Sequence, residues 1–107
     1  MASPESSEDR LFLLMICETL FAQRISQLLD ELNVPGYTRF GGVSGVGETG
    51  RHEGTAIWPG SNTIIFVALP DPDLADEIMR RAERIIAHEY HKRPGFAAFK
   101  LHGTQIA

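Results

Sequence analysis

Apolar runs and helical stripes alternate along this chain. Leu11 to Cys17 (LFLLMIC) is apolar without a break, the pattern of a strand buried on both faces. Phe21, Ile25, Leu28 and Leu32 then recur at spacings of four, three and four, the single stripe of an amphipathic helix. Glu18 is expected in the first turn, where its charge suits the positive end of the helix dipole. Asn33 and Pro35-Gly36 supply the stop signal. Tyr37 to Phe40 opens a second extended segment that runs into glycines at 41, 42, 45, 47, 50 and 54. Gly54 to Trp58 is a candidate to resume extended structure before a turn at Pro59 to Asn62. Thr63 to Leu69 is β-branched and apolar throughout, as a central strand is. Asp71 is placed to cap a second helix with Pro72 at its first position, and Leu74, Ile78, Ala82 and Ile85 mark its buried stripe. Phe96 to Leu101, after Pro94-Gly95, is the last strand.

The order is therefore β-α-β-β-α-β. This predicts an α+β fold: a ferredoxin-like sandwich with an antiparallel four-stranded sheet and both helices on one face. Two helices cover only one side of such a sheet. Yet the runs at 11–17 and 63–69 are apolar at odd and even positions alike, so both faces call for burial. The simplest cover for the second face is another copy of the chain, and a homo-oligomer is expected.

Composition narrows the picture. With 107 residues, 43% hydrophobic and 22% charged, the chain suits one small globular domain. Residues 1–9, rich in Ser and Glu, read as a disordered tail, leaving 10–107 as the single domain. Ten Lys and Arg against fourteen Asp and Glu give a formal charge of -4, which argues against a nucleic-acid partner. The run at 11–17 is too short to cross a bilayer, so no membrane insertion is expected. A single cysteine, Cys17, permits no internal disulfide and suits a reducing, cytoplasmic setting.

Candidate chemistry concentrates between the middle strands. Gly45-Val-Gly47-Glu48-Thr-Gly50 lets the backbone approach a ligand closely and offers bare N–H groups to an anion. Arg51, His52 and Glu53 follow; Arg51 suits a phosphate or carboxylate, and His52 a metal or a proton. A solvated polar loop is the plainer account of the same residues. His88 and His91, three apart at the end of the second helix, would share a helical face if the helix persists, making a two-point divalent-metal site. The plainer account is that His88, His91, Lys92 and Arg93 are cations favoured at a helix C-terminus. Phe40, Tyr37 and Trp58 are core or interface aromatics. Cys17 lies inside an apolar run, where its thiol is inert. No nucleophile elbow or His-Glu-x-x-His motif occurs, and an enzyme is not expected.

Gly36-Tyr37-Thr38, then Val43-Ser-Gly45-Val-Gly47, then Gly50 and the strand at 63–69, together resemble the PII signalling family, across about 11–101. In that family a Gly-x-Thr turn after the first helix leads into a strand whose Val-x-Gly-x-Gly segment opens the large T-loop. The resemblance implies a homotrimer with inward-facing sheets. It implies a small effector, usually an adenine nucleotide, in clefts between subunits, and a T-loop that docks on or releases a target protein. By position, Thr38 is similar to the threonine that meets the nucleobase, and Gly45 and Gly47 to the backbone lining the phosphates. This sequence departs from the pattern in two places. The connection carries no tyrosine, and His91-Lys92-Arg93-Pro94-Gly95 stands where the family has a glycine-rich phosphate cradle, leaving Lys92 and Arg93 as candidate sources of positive charge. The CutA proteins share the trimeric architecture and are associated with divalent-cation tolerance; the histidines keep that alternative open.

Overall fold

The computed structural model describes residues 9–44 and 61–107. Its elements are β1 (Asp9–Glu18), α1 (Thr19–Glu31), β2 (Thr38–Val43), β3 (Asn62–Leu69), α2 (Pro72–Glu89) and β4 (Phe96–Thr104). The four strands form one antiparallel sheet in the order β2-β3-β1-β4. This is the ferredoxin-like arrangement expected from the element order. The most continuously apolar strands, β1 and β3, occupy the centre, as their composition requires.

Alternation along β1 separates the two faces. Leu11, Leu13, Met15 and Cys17 are buried against both helices. They join Ile65 and Val67 of β3, Phe21, Ile25, Leu28 and Leu29 of α1, and Ala75, Ile78 and Ala82 of α2 in one core. Burial pushes the Cys17 thiol up to about 12, opposed by the Arg39 charge, so the sulfur is an unreactive packing group.

The helix ends follow local chemistry. The Asp71 carboxylate accepts from the Leu74 N–H at 2.9 Å, with Pro72 at the first helical position. At the C-terminal end of α1, Asn33 adopts φ 55°. Its N–H donates to the Asp30 carbonyl and that of Val34 to the Leu29 carbonyl, the paired closure of a Schellman stop.

Several boundaries differ from the sequence reading. β1 begins at Asp9 rather than Leu11, because the Asp9 carboxylate accepts from the Thr104 hydroxyl across the β1–β4 ladder; residues 1–8 of the expected tail lie outside the described residues. Glu18 is not in the first turn of α1. It holds the N-cap position with no side-chain cap bond, because its backbone N–H donates to the Gly95 carbonyl and keeps it in the sheet. Gly41 and Gly42, expected in the connecting loop, extend β2. A register shift between Phe40 and Val43 is accommodated by Gly42 at φ 65°, a bulge that glycine permits at little steric cost. β4, expected to end at Leu101, runs on to Thr104, with His102 an exposed residue paired with Leu11. Finally, the end of α2, left open by the sequence, falls at Glu89: Tyr90 is extended at φ -127°, ψ 134°.

Candidate functional site

One end of the sheet gathers most of the chemistry. β1 and β2 finish there, and β3 and β4 begin there: Glu18 and Val43 both pair with Asn62, and Cys17 pairs with Phe96. Hydroxyl contacts bind the junction together. Thr19 Oγ1 lies 2.8 Å from Ser61 Oγ and 3.2 Å from Thr63 Oγ1, and the Thr19 N–H donates to the Ser61 carbonyl. The segment between Ser44 and Ser61 therefore leaves and returns at this end, beside the start of α1. Gly45, Gly47, Glu48, Arg51 and His52, with Trp58, lie outside the described residues.

Beside that junction, on the β1–β4 side, is a cleft of about 360 Å³ lined by Glu18, Leu20, Phe21, Tyr90, Lys92, Arg93 and Pro94. Its aromatic wall is built by packing. Phe21 meets Tyr90 edge-on at 5.4 Å and Phe96 at 5.1 Å, geometry that aromatic quadrupoles favour. Leu20, on the first turn of α1, is 81% exposed. The α1 N-terminus has no side-chain cap, which leaves positive dipole character on this side.

The two cations of the cleft are in different states. Arg93 donates through both terminal nitrogens to the two Glu83 carboxylate oxygens, each at 2.8 Å. That fork holds the Glu83 carboxyl below its usual range and raises the Arg93 guanidinium. Lys92 has no ion-pair partner among the described residues. Glu83 was invisible as a contributor in the sequence: it sits ten positions before Arg93 on an exposed helical face, and only the turn after α2 brings the two together.

The condition attached to the histidine pair, a helix that persists through His91, is not met. His88 is in the last turn of α2, but the chain turns extended at Tyr90, so His91 does not share its helical face. No cluster of three or more His, Cys, Asp or Glu suited to a metal occurs among the described residues. Thr38 also stands apart from Lys92 and Arg93. It lies on β2, one edge of the sheet, whereas Lys92 and Arg93 precede β4, the other edge. Three strand spacings, about 14 Å, separate those edges. Within one chain the predicted binding residues are thus divided between the two sides of the sheet.

The sheet face opposite the helices is the second feature. Register places Thr38, Phe66, Leu14 and Phe99 in one row across it, Phe40, Ile64, Ile16 and Ala97 in the next, and Ala68, Phe12 and Leu101 in a third. Phe12 and Phe66 stack at 5.1 Å. Phe40, Phe99 and Leu101 are 52%, 44% and 42% exposed. Thr38 alone in these rows is polar. No element of the described chain covers this surface, and a contiguous apolar face of this kind marks a protein contact.

No protein-family model matches the sequence, and no curated protein does. Solved structures do match. CPII of Thiomonas intermedia K12, a nitrogen regulatory PII-like protein bound to ADP, AMP and bicarbonate, superposes with a TM-score of 0.67 at 20% identity, over 92% of this chain and 93% of that one. The chain has the PII-like fold. The apo form of CPII gives 0.67 at 18% identity, with 92% of each chain covered. The B. subtilis GlnK–ATP complex gives 0.51 at 12%, covering 92% of this chain and 98% of that one. The PII-like fold thus spans nearly the whole chain, as the motif at 36–47 implied. Among the described residues no helix is long and apolar enough to cross a membrane.

Proposed function

We propose that this chain is a divergent PII-like regulatory protein. Copies assemble, as a homotrimer, through the uncovered sheet face and bind a small anionic effector, an adenine nucleotide, in the clefts between them. The observation that carries the reading is the apolar sheet face. Its rows around Phe66 and Ile64 are sealed only when another copy closes over them, and cyclic closure sets the β2 edge of one copy beside the β4 side of the next. That joins the divided site: Thr38 from one copy meets the nucleobase, while Lys92 and Arg93 of its neighbour face the phosphates. Gly45, Gly47, Glu48 and Arg51 complete the site from the connecting segment, which contacts a target protein.

Two things support the reading. CPII, of the same fold, is bound to ADP, AMP and bicarbonate, and GlnK to ATP. The residues present also suit phosphate: Lys92, without an ion-pair partner among the described residues, and an α1 N-terminus without a side-chain cap stand beside an aromatic wall. The protein acts by binding rather than by catalysis, in a reducing cytoplasm where its one buried thiol stays reduced. A ligand biases the connecting segment only by binding one of its states better, and a tenfold bias needs about 1.4 kcal/mol. Light scattering at micromolar concentration, with calorimetry against ATP, ADP, AMP and bicarbonate, tests both halves. The expected result is a trimer with measurable heat from at least one nucleotide. A monomer, or no heat from any of them, overturns the reading.

A further inference from the structure

We propose that Glu83 is a built-in competitor for the effector's phosphate: it occupies Arg93 when the cleft is empty, and a phosphate must displace it. This rests on the nucleotide reading above. Arg93 lines the cleft, yet both of its terminal nitrogens are committed to the two Glu83 oxygens at 2.8 Å. The same fork geometry is what a guanidinium offers a phosphate. A terminal phosphate carries nearly two negative charges and three strong acceptor oxygens at neutral pH, so it outcompetes a lone carboxylate for that fork. The pair is also easily broken, since both side chains are about half exposed, 53% for Arg93 and 50% for Glu83, and exposed pairs are weak. Lys92 needs no such release, having no ion-pair partner among the described residues. The cleft therefore contains one cation ready at once and one released by the ligand. Glu83 therefore weakens only those ligands that use the Arg93 fork: most for the ligand that brings the most negative charge beside the displaced carboxylate, and not at all for one without a phosphate.

The test is calorimetry on the full chain with ADP, AMP and adenosine, comparing wild type with Glu83→Gln, which removes the charge and keeps an acceptor for Arg93. The substitution should tighten ADP about two- to fivefold, the span of an exposed ion pair, tighten AMP less, and leave adenosine unchanged. Unchanged or weakened ADP binding overturns the proposal, as does equal tightening of adenosine, which would mark a change of shape rather than of charge. A second measurement uses the wild type alone: the Arg93 Nε–H resonance should shift on adding ADP, and a resonance that ignores saturating ADP also overturns the competition. If neither wild type nor variant binds any of the three ligands, the nucleotide reading itself falls and takes this proposal with it. Binding of ADP without a Glu83 effect sinks only the competitor.

Discussion

The two faces of the sheet are built from the same kinds of residue and meet different fates. On one, Leu13, Met15, Ile65 and Val67 are fully buried beneath α1 and α2. On the other, Phe12, Leu14, Ile16, Ile64 and Phe66 are only half-buried, and Phe40, Phe99 and Leu101 are exposed. The first face is closed by the chain's own helices. The second is as apolar but is covered by no element of the described residues, so under the proposed assembly its burial depends on concentration where that of the first does not. On that proposal, folding and assembly are read from alternate residues of the same strands.

The strongest way to break this division is a charge at the centre of the open face. Phe66→Asp, in the row with Leu14 and Thr38, would bury an unpaired carboxylate in any assembly, which is prohibitive. Light scattering should then report a single chain of 11.9 kDa whose helical circular dichroism is retained; an unchanged larger mass would place the interface elsewhere. Its neighbour in sequence gives the opposite signature. Ile65→Ala removes a fully buried side chain and should lower stability by about 2–5 kcal/mol in urea unfolding, with the number of subunits unaltered. A smaller effect sharpens the account of the helical cover. Asp71→Ala removes the acceptor of the Leu74 N–H and should cost about 1 kcal/mol, with no effect on subunit number.

Acid gives the smallest effect and belongs to the helical side alone, since the central rows of the open face carry no ionisable side chain. Arg93 holds the Glu83 carboxyl below its usual range, and Arg24, bonded at 3.0 and 3.1 Å, does the same for Glu89. A depressed carboxyl stabilises the fold above its unfolded-state value of about 4.3, and that contribution is lost as pH falls through the lower folded value. Unfolding followed between pH 6 and 3 should therefore show a shallow loss confined to the acid end. A loss already complete at pH 5 would contradict these pairings.

Much of the fold was legible because its signals are local. The Phe21–Ile25–Leu28 stripe, Asp71-Pro72 and the β-branched run at 63–69 each specify an element within a few residues, and the double-sided apolarity of β1 and β3 announced the uncovered face. What the sequence hid was contact across distance. The Glu18 N–H bond to Gly95 and the Asp9 bond to Thr104 moved two boundaries, and neither is encoded near the residue it moves. The end of α2 was left open for a different reason: His88, Glu89, Tyr90 and His91 carry no breaker, so nothing local marks the change to extended backbone at Tyr90. Of the candidate site, Lys92 and Arg93 were found by their place in the chain, whereas the Glu83 partnership needed the folded α2.

The stem beneath the connecting segment has a wider consequence. Val43 pairs with Asn62, and Ser61 is bonded to the head of α1, so the two feet of residues 45–60 are fixed to the sheet. Lengthening what lies between fixed feet adds only loop-closure entropy, about 0.6 kcal/mol for each doubling. The chassis therefore tolerates exchange of that insert almost independently of its own folding, and the length and sequence between the feet can change without redesigning the sheet and helices that hold them.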